Sequence, residues 1–171
     1  KKGLRDINGK GVVAGLTEIS EVQAFEIIDG VSTPCEGKLF YRGYNVEDIV
    51  KDAAEQDIFA FEEVCYLLLF GKMPSLAEYN EFRELMGSYL NLPRGFIKDS
   101  IMNVESKDMM NLLARCVLSL YVYDKKPDDI SIPNVLKQSL KLIARMPLLM
   151  VYGYHSYNYC CNEKSLVIHP P

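Results

Sequence analysis

Phe61-Glu62-Glu63-Val64-Cys65-Tyr66-Leu67-Leu68-Leu69-Phe70-Gly71-Lys72-Met73-Pro74-Ser75-Leu76-Ala77-Glu78 carries a helix, its stop and the start of the next helix in eighteen residues. Phe61, Val64, Cys65 and Leu68 recur at i, i+3, i+4 and i+7, the inner face of a helix over about 59–70. Gly71 supplies a left-handed terminator, and Pro74 prevents continuation. Ser75 and Glu78 have the spacing of a capping box. The helix that box opens carries Leu76, Tyr79, Phe82, Met86 and Leu90 as one stripe.

The same grammar extends toward the carboxyl end. Ser106 is expected to cap an apolar helix from Lys107 to about Tyr123. Its Met109, Met110, Leu112, Leu113, Cys116, Val117, Leu120 and Tyr121 cover more than half its circumference, which predicts enclosure on several sides. A polar loop over 125–131 leads to a last long helix from about Pro133 past Tyr152. Leu136, Leu140, Ile143, Met146 and Met150 are expected inside, with a kink at Pro147. In the other direction, Asn45 caps a short helix whose first turn holds Glu47 and Asp48. Before it the chain is rich in glycine and β-branched residues. Gly11–Gly15 and Ala24–Ile28 read as extended pieces, Asp29-Gly30 as a turn and Gly37–Tyr41 as a returning strand. The expected fold is all-α with a small amino-terminal β-hairpin, divided into an extended opening segment over 1–45 and a helical part over 46–171.

With 171 residues, 49% hydrophobic and 25% charged, the composition is that of a globular domain or part of one. A net charge of −4 lacks the basic excess that nucleic acid as the main partner would require. No apolar run approaches the roughly twenty residues of a membrane span, and no secretion signal opens the chain. Five cysteines at spacings unlike a metal site point to reduced thiols and a cytoplasmic protein.

Chemistry-bearing motifs are sparse. Gly9–Gly15 resembles a dinucleotide fingerprint but is one residue too long and lacks a strand before it and a helix after it, so it reads as turns. His155 with Cys160 and Cys161 matches no standard metal spacing and reads as a partly exposed histidine beside free thiols. Glu62-Glu63 and Asp128-Asp129 read as helix-dipole and solubility residues rather than acid–base pairs. These patterns alone describe a helical intracellular domain.

Several stretches, taken in order, resemble the amino-terminal part of the citrate synthase family. Gly3-Leu4-Arg5, Val12-Val13-Ala14 and Thr17-Glu18-Ile19-Ser20 match its opening. Gly37-Lys38-Leu39-Phe40-Tyr41-Arg42-Gly43-Tyr44 matches its strand and arginine-glycine-tyrosine turn. Residues 61–74 match its next helix and stop, and Leu142-Ile143-Ala144-Arg145-Met146-Pro147 its proline-bearing helix. Departures are Asp6 in place of a glycine and extra residues at 7–10, about 21–25 and 31–36.

The resemblance implies condensation of acetyl-CoA with oxaloacetate to citrate and free CoA, with 2-methylcitrate synthesis from propionyl-CoA as the near rival. A non-catalytic, stand-alone dimerisation module is the reading from another class. Deprotonating a methyl carbon beside a thioester needs a carboxylate base and a donor for the enol oxygen. The family uses histidines as donors, and neither His155 nor His169 stands in its histidine motifs. The resemblance thus implies an amino-terminal fragment, covering about two-fifths of a family member, with no catalytic residue and no metal site. Acetyl-CoA is its co-substrate, and no cofactor is permanently bound. Arg5 corresponds to a family arginine that holds CoA phosphate across the dimer interface, a surface arginine being the alternative. Arg42 is expected to hold its turn rather than touch substrate. Helices over about 107–123 and 133–154 correspond to those that build the family's homodimer, ordinary core burial being the alternative.

Overall fold

The computed structural model describes residues 11, 17–104 and 106–167, and the chain divides into two compact units, Lys1–Phe82 and Arg83–Pro171.

In the first unit, strands β1 (Ser20–Ile28), β2 (Val31–Tyr41) and β3 (Tyr44–Asn45) form an antiparallel sheet in the order β1-β2-β3. The β1–β2 turn is Asp29-Gly30, with φ of 51° and 80°. Two successive positive values are the signature of the tight hairpin turn that matches strand twist, and the Asp-Gly pair tolerates them. Pairing runs from Ile28↔Val31 to Ser20↔Tyr41, with an irregularity between Gln23 and Phe25. The extra residues at 31–36 continue β2 outward from the expected return strand, so the hairpin is longer than the sequence reading gives. The β component is therefore a three-stranded sheet on a mainly helical chain, rather than a small hairpin on an all-α one.

Helix α1 (Val46–Glu55) opens as expected: the Glu47 N–H donates to Asn45 Oδ1 at 3.0 Å. It buries Ile49 and Ala53 and packs on β2 and β3. Helix α2 spans Phe61–Phe70 and ends on Gly71, whose φ of 79° makes the predicted left-handed cap. Helix α3 (Leu76–Ser88) opens with the predicted box: the Ser75 N–H donates to Glu78 Oε2 at 2.9 Å, and the Glu78 N–H donates back to Ser75 Oγ at 3.4 Å. Its expected stripe holds at Phe82 and Met86 but not at Leu76, which is exposed. As the first residue of the helix, Leu76 sits at its rim, where packing partners run out.

The second unit is built on a core of Phe96, Ile101, Leu112, Cys116, Leu120, Leu149 and Tyr152. Phe96 and Ile101 come from a π-helical turn (Ile97–Met102) and the residue before it. Helix α4 runs Met109–Ser119 and continues as a 3-10 turn over Leu120–Tyr123. Its cap is Asp108, not Ser106: Asp108 Oδ1 accepts from the Met110 and Asn111 N–H groups at 2.9 and 3.0 Å. A carboxylate that accepts from two free amides and meets the positive helix end outcompetes a hydroxyl. Ser106 stands two residues earlier, accepting from the Asp108 N–H. Enclosure of α4 is one-sided among the described residues. Leu112, Cys116 and Leu120 are buried, whereas Met110, Leu118, Tyr121 and Val122 face outward.

Helix α5 spans Ile132–Asn162 and continues through Pro147. It buries Leu140, Ala144, Leu149, Tyr152, Gly153 and Ser156, while Met150, expected inside, is exposed. Buried Ser156 donates its hydroxyl to the Ile101 carbonyl at 3.3 Å, tying α5 to the π-helical turn. No helix among the described residues is long and apolar enough to cross a membrane.

Candidate functional site

Arg5 and His169 lie outside the described residues. His155 is half-buried on α5 with its ring at 6.3 Å from that of Tyr154. Cys160 and Cys161 follow it on the same helix, and neither is in a disulfide. Among the described residues, no group of three or more histidines, cysteines and acids could hold a metal ion.

The acidic pairs do local structural work. Glu62 and Glu63 occupy the first turn of α2, where the helix dipole favours them. The Tyr121 hydroxyl donates to both oxygens of Asp128, at 3.0 and 3.1 Å, and this bond holds the phenol above its ordinary value. Asp129 Oδ1 accepts from the Ser131 N–H at 3.0 Å, which lowers its carboxyl and fixes the approach to α5.

Arg42 also has a structural role. It adopts φ of 50° before Gly43, and its N–H donates to the Ile19 carbonyl at 2.8 Å. Its Nη2 donates to the Leu68 carbonyl at 3.0 Å, in the last turn of α2. A cation there satisfies a carbonyl without an intrahelical partner and meets the negative helix end.

The cavity that gathers the most chemistry lies in the second unit, about 280 Å³ in volume, between the end of α4 and the first half of α5. Val117, Leu120 and Leu142 supply apolar walls, and Asp124, Gln138, Lys141 and Arg145 supply polar ones. Asp124 is held in place: its Oδ1 accepts from the Lys126 N–H at 2.9 Å and its Oδ2 from Gln138 Nε2 at 3.4 Å. The Lys126 amide bond is the main cause that lowers its carboxyl. Arg145 donates Nε to the Tyr89 carbonyl at 3.2 Å. This arrangement can hold charge beside an apolar wall, but it has no nucleophile set beside a base. The sequence reading named Arg145 only within a motif and missed Gln138 and Lys141. The available signal was their placement with Arg145 at i, i+3 and i+7 on one helix face.

Comparison with known proteins bears on the whole chain rather than on this cavity. Residues 4–169 match the family described as "Citrate synthase, C-terminal domain". The chain is 29% identical over 150 residues to 2-methylcitrate synthase 1 of Corynebacterium glutamicum, a match covering 88% of the chain and 34% of that protein. It is 28% identical over 140 residues to the citrate synthase of Saccharolobus solfataricus, covering 80% of the chain and 33% of that protein. The chain thus spans about a third of the length of the curated relatives it matches. Its fold is similar to that of the citrate synthase of Thermoplasma acidophilum, solved with carboxymethyl coenzyme A and oxaloacetate. That match has a TM-score of 0.71 at 22% identity and covers 92% of this chain and 36% of the other. The citrate synthase of Pyrobaculum aerophilum gives a TM-score of 0.68 at 22% identity, covering 91% of this chain and 39% of the other. With the matched motifs falling on the strand, the glycine-capped helix and the proline-bearing helix the structure shows, this chain belongs to the citrate synthase family.

Proposed function

We propose that this chain is the amino-terminal scaffold of an enzyme that condenses acetyl-CoA with oxaloacetate, releasing citrate and CoA after thioester hydrolysis. The observation that carries the reading is the family match over residues 4–169 of a chain that spans about a third of its relatives' length. The reaction needs a carboxylate base at the acyl methyl group and a donor at the enol oxygen. We place both in the length of the relatives that this chain does not span. Arg5 is proposed to hold CoA phosphate, as a fixed cation with paired donors suits.

The homodimer is proposed to form through residues 107–123 and 133–154. Met110, Leu118 and Val122 on one helix and Met150, Val151 and Tyr154 on the other remain exposed, and apolar helix faces of this kind favour a partner. None of the five cysteines is in a disulfide, in keeping with a cytoplasmic compartment.

Propionyl-CoA as the acyl donor is the second reading, supported by two relatives named 2-methylcitrate synthase, at 29% and 30% identity. The test is thiol release by the protein encoded by the uninterrupted reading frame, with oxaloacetate and each acyl-CoA in turn. A higher kcat/KM for acetyl-CoA supports the proposal, and a higher value for propionyl-CoA supports the second reading. No release with either leaves a scaffold without catalysis.

A further inference from the structure

Gln138, Lys141 and Arg145 line the cavity beside the end of α4 from a single face of α5. Lys141 makes no hydrogen bond or ion pair with a described residue, and Arg145 commits only its Nε, to the Tyr89 carbonyl. Asp124 is the acid on this lining, and both its oxygens already accept hydrogen bonds, from Lys126 and Gln138. The lining therefore carries two cations against one engaged carboxylate, a net charge of +1 by that count. Burial pushes the Arg145 guanidinium below its ordinary value, with Asp124 acting the other way, as for a charge short of solvation. Both side chains are half-buried beside the apolar wall of the cavity.

We infer that this cavity binds a small organic anion, its carboxylate or phosphate held between Lys141 Nζ and the free Nη groups of Arg145, its apolar body laid against Val117, Leu120 and Leu142. The guanidinium offers a planar pair of donors, and the ammonium adds a point charge beside it. At about 280 Å³ the cavity is at the small end of ligand sites, which limits the occupant to a compact molecule. The inference goes beyond the acyl-transfer reading, since no step of that chemistry uses the cavity.

The test is an NMR titration of the 171-residue chain with phenyl phosphate, benzoate, inorganic phosphate and benzyl alcohol. Saturable shifts along α5 with phenyl phosphate or benzoate are expected, and whichever binds tighter identifies the acid group. Lys141→Gln should weaken that binding about tenfold, the loss of one charge-assisted bond, at an unchanged melting temperature. Lys98→Gln, on an exposed residue outside the cavity, should leave it unchanged. Absence of saturable binding overturns the inference, as does binding that Lys141→Gln leaves intact. Benzyl alcohol binding as well as phenyl phosphate removes the role of charge, and inorganic phosphate binding as well removes the role of the apolar wall. Either result also overturns it. The titration reads binding alone, so its failure is distinct from failure of the condensation assay.

Discussion

Arg42 holds a left-handed backbone position, φ 50°, that costs a side-chain-bearing residue about 1 kcal/mol or more. Its guanidinium bond to the Leu68 carbonyl offsets that cost by joining the strand turn to the end of α2. Arg42→Ala should destabilise the chain by about 1.5–3 kcal/mol, the worth of a hydrogen bond to a charged group. Arg42→Gly loses the same bond but relieves the backbone, and should lie about 1 kcal/mol closer to the parent in urea denaturation. A ranking with glycine below alanine would contradict the backbone term. Glu78 is the second informative residue. Lys72 Nζ donates to its Oε1 at 2.6 Å, and the Ser75 amide and hydroxyl donate to Oε2, so its carboxyl is lowered from 4.5 to about 2. A carboxyl depressed in the folded state adds stability that is complete above its unfolded value near 4.5 and is lost as pH falls through 2. Carbon-detected NMR of the Glu78 carboxyl should show that low midpoint. Glu78→Gln should flatten the corresponding part of the acid unfolding curve, and a midpoint near 4.5 would show the pair to be open in solution. Both residues were partly legible in the sequence. The capping box gave the Ser75–Glu78 bond from spacing alone, whereas the 26-residue separation of Arg42 and Leu68 has no local signature.

Helix identities were legible because each is marked by a periodic apolar face and a terminator, and these are local. Their ends and inner faces were less so, because tertiary packing sets them. α4 begins one cap later than Ser106 suggests, and α5 turns Leu149, Tyr152 and Gly153 inward where the expected stripe runs to Met150. Gly153 shows why. A Cβ built on it would lie 2.8 Å from Leu112 Cδ2 and 3.2 Å from Met109 Cε, so α4 and α5 approach closely there because this residue has no side chain. Gly153→Val should therefore cost about 1–3 kcal/mol by overpacking, although valine suits a helix interior better than glycine does. A compensating Leu112→Ala should recover part of that loss. Thermal melts that show Gly153→Val neutral would mean the two helices part more easily than their buried contact implies.

At the largest scale, the opening hairpin and the five described α-helices follow from the sequence, while the third strand and the reaction chemistry do not. Family motifs in the right order led to the fold, whereas no spacing assigned a catalytic role to a histidine, and the one described histidine, His155, sits against Tyr154. The cavity went unread because its residues come from three separate stretches, around 93, 117–127 and 138–145, which only the packing of α4 on α5 unites. Exposed apolar faces on the same two helices are the counterpart at this scale, and the proposed homodimer would cover them with a second copy. Sedimentation of the chain should accordingly show self-association that weakens when Leu118 and Val151 are replaced by Asp; a monodisperse monomer would contradict that placement of the interface. The account as a whole rests on the division of labour between this scaffold and the remainder of its relatives' length. Release of free CoA thiol from acetyl-CoA and oxaloacetate, measured on the 171-residue chain beside the full reading-frame product, tests it most directly. Turnover by the full product and none by this chain is the predicted result; turnover by this chain alone would contradict it.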